Sequence, residues 1–381
     1  MGKHLVFVGG GHAHLTALKN LSTFTERGHS VTLVSASPYH YYSGMGPGML
    51  SGIYHASEVR FHIKKMAEDR GAAFIEDNVV KIDPVGHVLS LRSGGNVAYD
   101  IVSFNTGSEV PVGSIASSEQ DNVVAVKPVV NLLKARHRIS EAVRGGVAWK
   151  YIVVGGGPAG VEVCSNLWRL ISVNRGQGRI VLIAGERLMP GAPEKVRRLA
   201  LESLSGRGVE IVEGSFVKSV GQGNVMLTNG RTFEFDLAFV AIGIRPAPMF
   251  AESGLPTGPD GGLLVNAHLQ SVAHRDIFGG GDCASLEGHA LAKVGVYAVR
   301  QNPILFHNLK VALDGGEMMR FSPQTHYLLI FNMGNGRGIF WKKDWVWSGR
   351  LAFQLKDYID RRFMRMFQVS GERDERSDLI E

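Results

Sequence analysis

The chain has 381 residues, 44% of them hydrophobic and 20% charged, enough to bury two ordinary cores and a smaller third module, which excludes disordered and fibrous classes. Its formal charge is +6 at pH 7, with basic residues scattered except near the C-terminus, so no nucleic-acid partner is expected, although such a field favours phosphates. The two cysteines, Cys164 and Cys283, form no Cys-x-x-Cys pair and no disulfide framework, which fits a reducing, cytoplasmic compartment, and no apolar run is long enough to cross a bilayer.

The first element is a short apolar strand, HLVFV (4–8), that runs into Gly9-Gly10-Gly11. Its apolar run is too short for a signal peptide. Gly9 permits a tight turn, Gly11 lets the backbone approach a diphosphate, and the helix that follows directs its first N–H groups at the negative charge. His14 stands where this fingerprint calls for Gly or Ala. A second strand, HSVTLVS (29–35), completes a βαβ unit, and Ser35 occupies the position where an acid usually accepts from the ribose. Gly44, Gly46 and Gly48, with Pro47, then form a glycine-rich turn that allows close backbone approach, and an apolar strand, YDIVSFNTGS (99–108), ends in Thr106-Gly107.

The same order recurs. YIVVGGGPAG (151–160) carries the full fingerprint at Gly155, Gly157 and Gly160, RIVLIAG (179–185) is its second strand, and FDLAFVAIGIRP (235–246) repeats the later strand. Glu186, beside Arg187, is the nearest carboxylate to the ribose position, which leaves NADH and NADPH both open. Glu162 lies in the first helical turn after Gly160, where the helix dipole favours a carboxylate. A further strand, DIFGGGDCA (276–284), reaches Gly281-Asp282 and precedes a helix-like stretch at 292–310.

The expected fold class is therefore α/β, with two Rossmann-like dinucleotide-binding domains, the second inserted in the first, and a small C-terminal α+β module. The expected boundaries are 1–112 with 262–318 for the first domain, 113–261 for the second, and 319–381 for the module. No metal site is expected. In the module, Trp341, Trp345 and Trp347 precede a helix at 350–367 in which Leu351, Leu355, Tyr358, Ile359, Phe363, Met366 and Phe367 recur at helical spacing. Arg350, Lys356, Arg361, Arg362 and Arg365 outnumber Asp357 and Asp360 by five to two and form the other face. Such a helix covers its own core, seals a homodimer seam, or lies on the cytoplasmic face of a membrane through 341–367.

The ordered motifs GGGHAH, NTGS, GGGPAGVE, AIGIRP and GGGDCA resemble those of two-dinucleotide-binding-domain flavoproteins, in particular the type II NADH dehydrogenase and sulfide:quinone reductase branch. YYSGMGPGMLSGIY (41–54), AKVGVYAVRQNP (292–303) and KDYIDRRFMRMF (356–367) further resemble the flavoprotein module that some organisms carry fused to selenide, water dikinase. The resemblance implies FAD at the first loop and NADH or NADPH at the second. It implies that Gly9, Gly10, Gly11 and His12 meet the FAD diphosphate and that Ser35 meets the ribose. By the same resemblance Val79 contacts adenine through its backbone, Thr106 and Gly107 close the site, and Gly281 and Asp282 hold the ribitol. Lys293 and Val294 would face the flavin pyrimidine, and the turn around Pro47 would lie close to the flavin ring. Glu162 and Gly243 would border the nicotinamide, whose C4 must come within roughly 3–3.5 Å of flavin N5 for hydride transfer. The acceptor implied is a quinone or another small molecule. A sulfide- or selenide-oxidising route through Cys164 and a non-enzymatic nucleotide-sensing flavoprotein are the competing readings.

Overall fold

The computed structural model describes residues 2–115, 121–221 and 223–373. Parts of the second unit (116–120 and 222) and the end of the C-terminal module (374–381) lie outside it. Two parallel five-stranded sheets dominate. In the first, His4–Val8 lies between Ser30–Ser35 and Ile101–Phe104, with Ala73–Glu76 at one edge and Ile277–Gly279 at the other. In the second, Trp149–Val154 lies between Gly178–Ile183 and Leu237–Val240, with Glu210–Val212 and Val123–Ala125 at the edges. The central strands are buried on both faces, and their near-continuous Val, Ile, Leu and Phe runs reflect that burial. Ile277–Gly279 pairs in parallel with Ile101–Phe104, so the chain returns to the first sheet after completing the second.

Two small antiparallel sheets flank these layers. Val79–Asp83, Val88–Leu91 and Asn96–Ala98 form one, and Val217–Val220, Asn224–Leu227 and Thr232–Glu234 form the other. A third, Leu329–Asn332, Gly338–Lys342 and Trp345–Gly349, belongs to the C-terminal module and leads into the helix Arg350–Phe367. The helix after the first glycine loop is broken into a 3-10 turn, Leu15–Lys19 and Ser22–Thr25. Asn20 caps the break by donating to the Thr16 carbonyl at 2.7 Å, and the Thr25 hydroxyl donates to the Arg70 carbonyl at 3.2 Å. The stretch expected to be helical from 292 begins at Gly295 and continues to Asp314.

Candidate functional site

The two glycine loops repeat one construction. Gly9 has φ +83° and donates its N–H to the Val34 carbonyl at 2.8 Å; Gly155 has φ +127° and donates to the Ile183 carbonyl at 2.9 Å. A Cβ on Gly9 would collide with the carbonyl of Asn105, and one on Gly155 with the carbonyl of Ala241, so each first glycine is fixed by the neighbouring strand's end. Gly160 is fixed by Gly155, whose carbonyl a Cβ would strike. Gly157 differs: a Cβ there would meet no heavy atom within 4 Å, and its φ is an ordinary −77°. The protein itself has no need of glycine at 157, but a backbone approached by a diphosphate at the N-terminus of Pro158–Val173 does. Gly107 and Gly243, at matching positions after the partner strands, have φ +74° and +54° and face open space.

Asn105 ties the first loop to the last strand. Its side chain accepts from the Ala13 N–H at 3.1 Å and donates to the Gly280 carbonyl, joining the helix start to the 279–282 turn. His14 replaces the expected small residue. Its Nδ1 must carry the proton it donates to the Gly9 carbonyl at 2.6 Å, and its Nε2 then accepts from the Ser103 hydroxyl at 2.8 Å. Burial is the main cause that lowers the His14 pKa to about 4, so this imidazole is neutral. His12 is also lowered to about 4, by burial first and then by Lys127; its Nδ1 lies 3.3 Å from His40, and its Nε2 is buried without a partner among the described residues. Such an orphaned polar atom beside a diphosphate loop fits a bound anionic cofactor.

Asp282 follows Gly281, whose φ is +72° and whose N–H donates to Gln301 at 2.7 Å. The Asp282 carboxylate accepts from Ser108 and from Lys127, both at 2.8 Å, and Lys127 reaches it from the second unit. Asp282, Lys293 and Val294 line one cleft, and Val294 caps the helix Gly295–Asp314. Lys293 is not a free cation there, since it pairs with Asp260 at 2.7 Å and donates to the Ala284 carbonyl at 2.8 Å. Ser35 ends its strand in register with Glu76, Val79 opens the next small sheet, and Thr106 is exposed. Pro47 is buried in the first turn of Gly46–Leu50, where Gly46 is held small by Val129 and Gly48 by Tyr54. These glycines thus serve packing within the protein. Glu186 is exposed at the end of the second sheet, and Arg187 is held by Glu194 at 2.6 Å.

Glu162 is not a solvated surface group. It is half-buried and accepts from the Asn332 N–H at 2.7 Å, which joins the second nucleotide helix to the C-terminal sheet. Burial raises its pKa to about 7 against the opposing pull of Lys356 and of the Asn332 hydrogen bond. Lys356 and Asp360, expected on the helix's charged face opposite its apolar stripe, point inward and are buried. Lys356 donates to the Gly44 carbonyl and to Asp360, each at 2.7 Å, and Tyr42 donates to Asp360 at 3.0 Å. Phe363 packs on Tyr42 and His12. The outer face of this helix instead carries Leu351, Leu355, Tyr358, Ile359 and Met366, all exposed. The helical period was legible, but which stripe faces inward was not, because the buried Lys356–Asp360 pair finds its partners on distant segments.

Asn105, Lys127, Tyr42, Lys356 and Asp360 were missed as site residues. Asn105 carried a signal, an Asn at a strand end just before Thr-Gly, whereas Lys127 meets Asp282 across 155 residues and carried none. Neither cysteine is poised for chemistry: both are buried, and burial pushes the Cys164 thiol up to about 12. Among the described residues no group of three or more His, Cys, Asp or Glu could hold a metal ion, and no helix is long and apolar enough to cross a membrane.

Comparison with known proteins follows the same geometry. The chain is 25% identical over 357 residues to ferroptosis suppressor protein 1 of Xenopus tropicalis, covering 88% of this chain and 87% of the relative. It is 21% identical over 312 residues to a probable NADH dehydrogenase of Dictyostelium discoideum, covering 74% and 68%. Its fold matches NDH2 from Plasmodium falciparum in complex with NADH, with TM-score 0.81 at 13% identity over 100% of both chains. It also matches the sulfide:quinone oxidoreductase from Aquifex aeolicus, with TM-score 0.77 at 17% identity over 96% of this chain and 92% of that one. The sequence pattern of the pyridine nucleotide-disulphide oxidoreductases spans residues 3–303, so the chain belongs to that family and is an FAD-dependent enzyme that draws electrons from NAD(P)H.

Proposed function

We propose that the chain takes electrons from NADH or NADPH at the 155–160 loop and delivers them, through FAD at the 9–14 loop, to a quinone-type acceptor that enters from a membrane surface. FAD, when bound at the 9–14 loop, would supply the two-electron chemistry. The protein's own contributions are position and a proton. Reduction of a quinone to a quinol takes two electrons and two protons, whereas a hydride brings two electrons and one proton, so each turnover draws one more proton from solvent. Glu162, with a pKa about 7, is suited to hold that proton near working pH. The relatives named ferroptosis suppressor protein 1 and NADH dehydrogenase, and the neighbours named NDH2 and sulfide:quinone oxidoreductase, are compatible with this acceptor class.

The observation that carries the reading is the inverted helix Arg350–Phe367. A helix that buries Lys356 and Asp360 while exposing Leu351, Leu355, Tyr358, Ile359 and Met366 carries a contiguous apolar outer face, which suits contact with an apolar medium. Arg350, Arg362 and Arg365 are exposed around that face, and Trp345 is 75% exposed beside it, as suits an anionic headgroup boundary. The sulfide or selenide route receives no support from a buried Cys164.

Anaerobic stopped-flow mixing tests the electron path. NADH or NADPH should bleach the flavin band, and the reduced protein should be reoxidised by ubiquinone-1 without oxygen. Bleaching by sulfide but by neither nucleotide, or reduced flavin that ubiquinone-1 leaves unchanged, would defeat the proposal.

A further inference from the structure

We propose that the exposed ring of Phe216 is the stacking platform for the adenine of the pyridine nucleotide, so that the second unit grips the adenosine half of NADH or NADPH through an aromatic face. This inference rests on the proposed binding of that nucleotide at the 155–160 loop.

Phe216 is 60% exposed, and the other exposed Phe, Tyr or Trp side chains among the described residues, Trp345 and Tyr358, belong to the C-terminal module. The second glycine loop leads to this ring in two steps. Gly156 abuts Ala184, whose carbonyl a Cβ on Gly156 would strike. The next residue, Gly185, has φ +71°, and a Cβ there would come within 3.1 Å of the Phe216 ring. Hydrogen bonds fix the segment that carries the ring. The Gly214 N–H donates to the Glu186 carbonyl at 3.1 Å, the Ser215 N–H to the Gly185 carbonyl at 3.2 Å, and the Phe216 N–H to the Thr228 hydroxyl at 3.3 Å. A dinucleotide whose diphosphate lies at the N-terminus of Pro158–Val173 extends its adenosine past the C-terminal ends of the parallel strands. Here those strands are Gly178–Ile183 and Glu210–Val212, and Phe216 stands four residues beyond the end of the second.

The internal repeat shows that the turn itself does not call for an aromatic ring. In the first unit the Arg92 N–H donates to the Asn78 carbonyl, in the second the Thr228 N–H donates to the Phe216 carbonyl, each at 2.9 Å, and Val79 and Val217 then open the matching small sheets. An asparagine suffices at this turn in the first unit. The core gains little from the phenylalanine either, since more than half of its surface stays in water. A flat apolar side chain that rests on a glycine and is otherwise open suits a purine base, which stacks on an aromatic ring through its own π-face. Gly185 serves the same end, because any side chain there would push the ring out of its place.

Adenine takes no part in hydride transfer, so the loss in Phe216→Ala should fall on binding rather than on the chemical step. In anaerobic stopped flow, the NADH concentration that gives half the limiting rate of flavin reduction should rise about tenfold or more, while the limiting rate itself is kept. Reduced nicotinamide mononucleotide, which lacks the adenosine half, should reduce the variant and the wild type alike. Phe216→Tyr should restore the wild-type dependence on NADH. FAD content and melting temperature serve as folding controls. Phe216→Trp reads the contact directly: in the FAD-loaded protein, its fluorescence in excess of the wild type should be quenched by ADP-ribose. An unchanged NADH dependence in Phe216→Ala, or an equal loss with reduced nicotinamide mononucleotide, overturns the inference. A wild-type protein that neither NADH nor NADPH reduces sinks the proposed electron path, while the ADP-ribose titration still decides on the ring: quenching upholds the platform, and its absence overturns it.

Discussion

At the scale of single residues, Gly157 and His14 show how the same kind of loop can be held by different forces. Gly157 faces open space, so Gly157→Val should leave FAD content and thermal stability unchanged while flavin reduction by NAD(P)H falls at least tenfold, read by stopped flow. A variant that reduces at the wild-type rate would remove the nucleotide from this loop. His12 and His14 are held neutral, with pKa values lowered from 6.5 to about 4, mainly by burial. Their folded values lie below the unfolded one, so the associated stability is complete above pH 6.5 and is lost as pH falls towards 4. Each contributes on the order of 3 kcal/mol across that window. The melting temperature of the FAD-free protein should therefore drop steeply between pH 6.5 and 4, and His14→Gln should flatten that slope even though it lowers stability at pH 7.

At the scale of elements, the helix Arg350–Phe367 separates what periodicity reveals from what it hides. Leu355→Glu with Ile359→Glu changes only exposed positions, so FAD loading and melting should hold while flotation with anionic liposomes at low salt is lost. If the wild type does not float, or the double variant floats equally well, the outer face docks elsewhere. Deleting the helix would be a poorer test, because Ala352, Met364 and Phe367 are core residues. The two Rossmann-like sheets were legible because their central strands, His4–Val8 and Trp149–Val154, are buried apolar runs that end in glycines whose spacing has a steric cause. The small antiparallel sheets at 79–98 and 217–234 were not, since their strands are short, half-exposed and polar on alternate positions. The site was legible where chemistry sits in the backbone, at Gly9, Gly155 and Gly281. It was hidden where side chains from remote segments meet, as Lys127 meets Asp282 and Lys356 meets the Gly44 carbonyl.

At the scale of the whole molecule, the two units are joined by an ion pair between Lys127 and Asp282. Lys127 comes from the second unit yet lies 2.8 Å from Asp282 and bears on His12, so FAD held at Asp282 and His12, as proposed, would link its binding to the placement of the two units. Lys127→Met should weaken FAD binding roughly tenfold or more in equilibrium dialysis, as loss of a charge-assisted contact implies. Unchanged or tighter binding would make the Lys127–Asp282 pair a latch that FAD must open. The duplicated loops also differ at the strand end that abuts them: the one beside Gly9 carries Asn105, whose amide bridges Ala13 and Gly280, and the one beside Gly155 carries Ala241, whose methyl can bridge nothing. The bridge fixes the first loop against the 279–282 turn, whereas the second loop lacks that tie at the matched position. One side-chain amide thus makes the first of two similar cradles the more firmly braced, which suits a cofactor that stays if FAD occupies that loop as proposed.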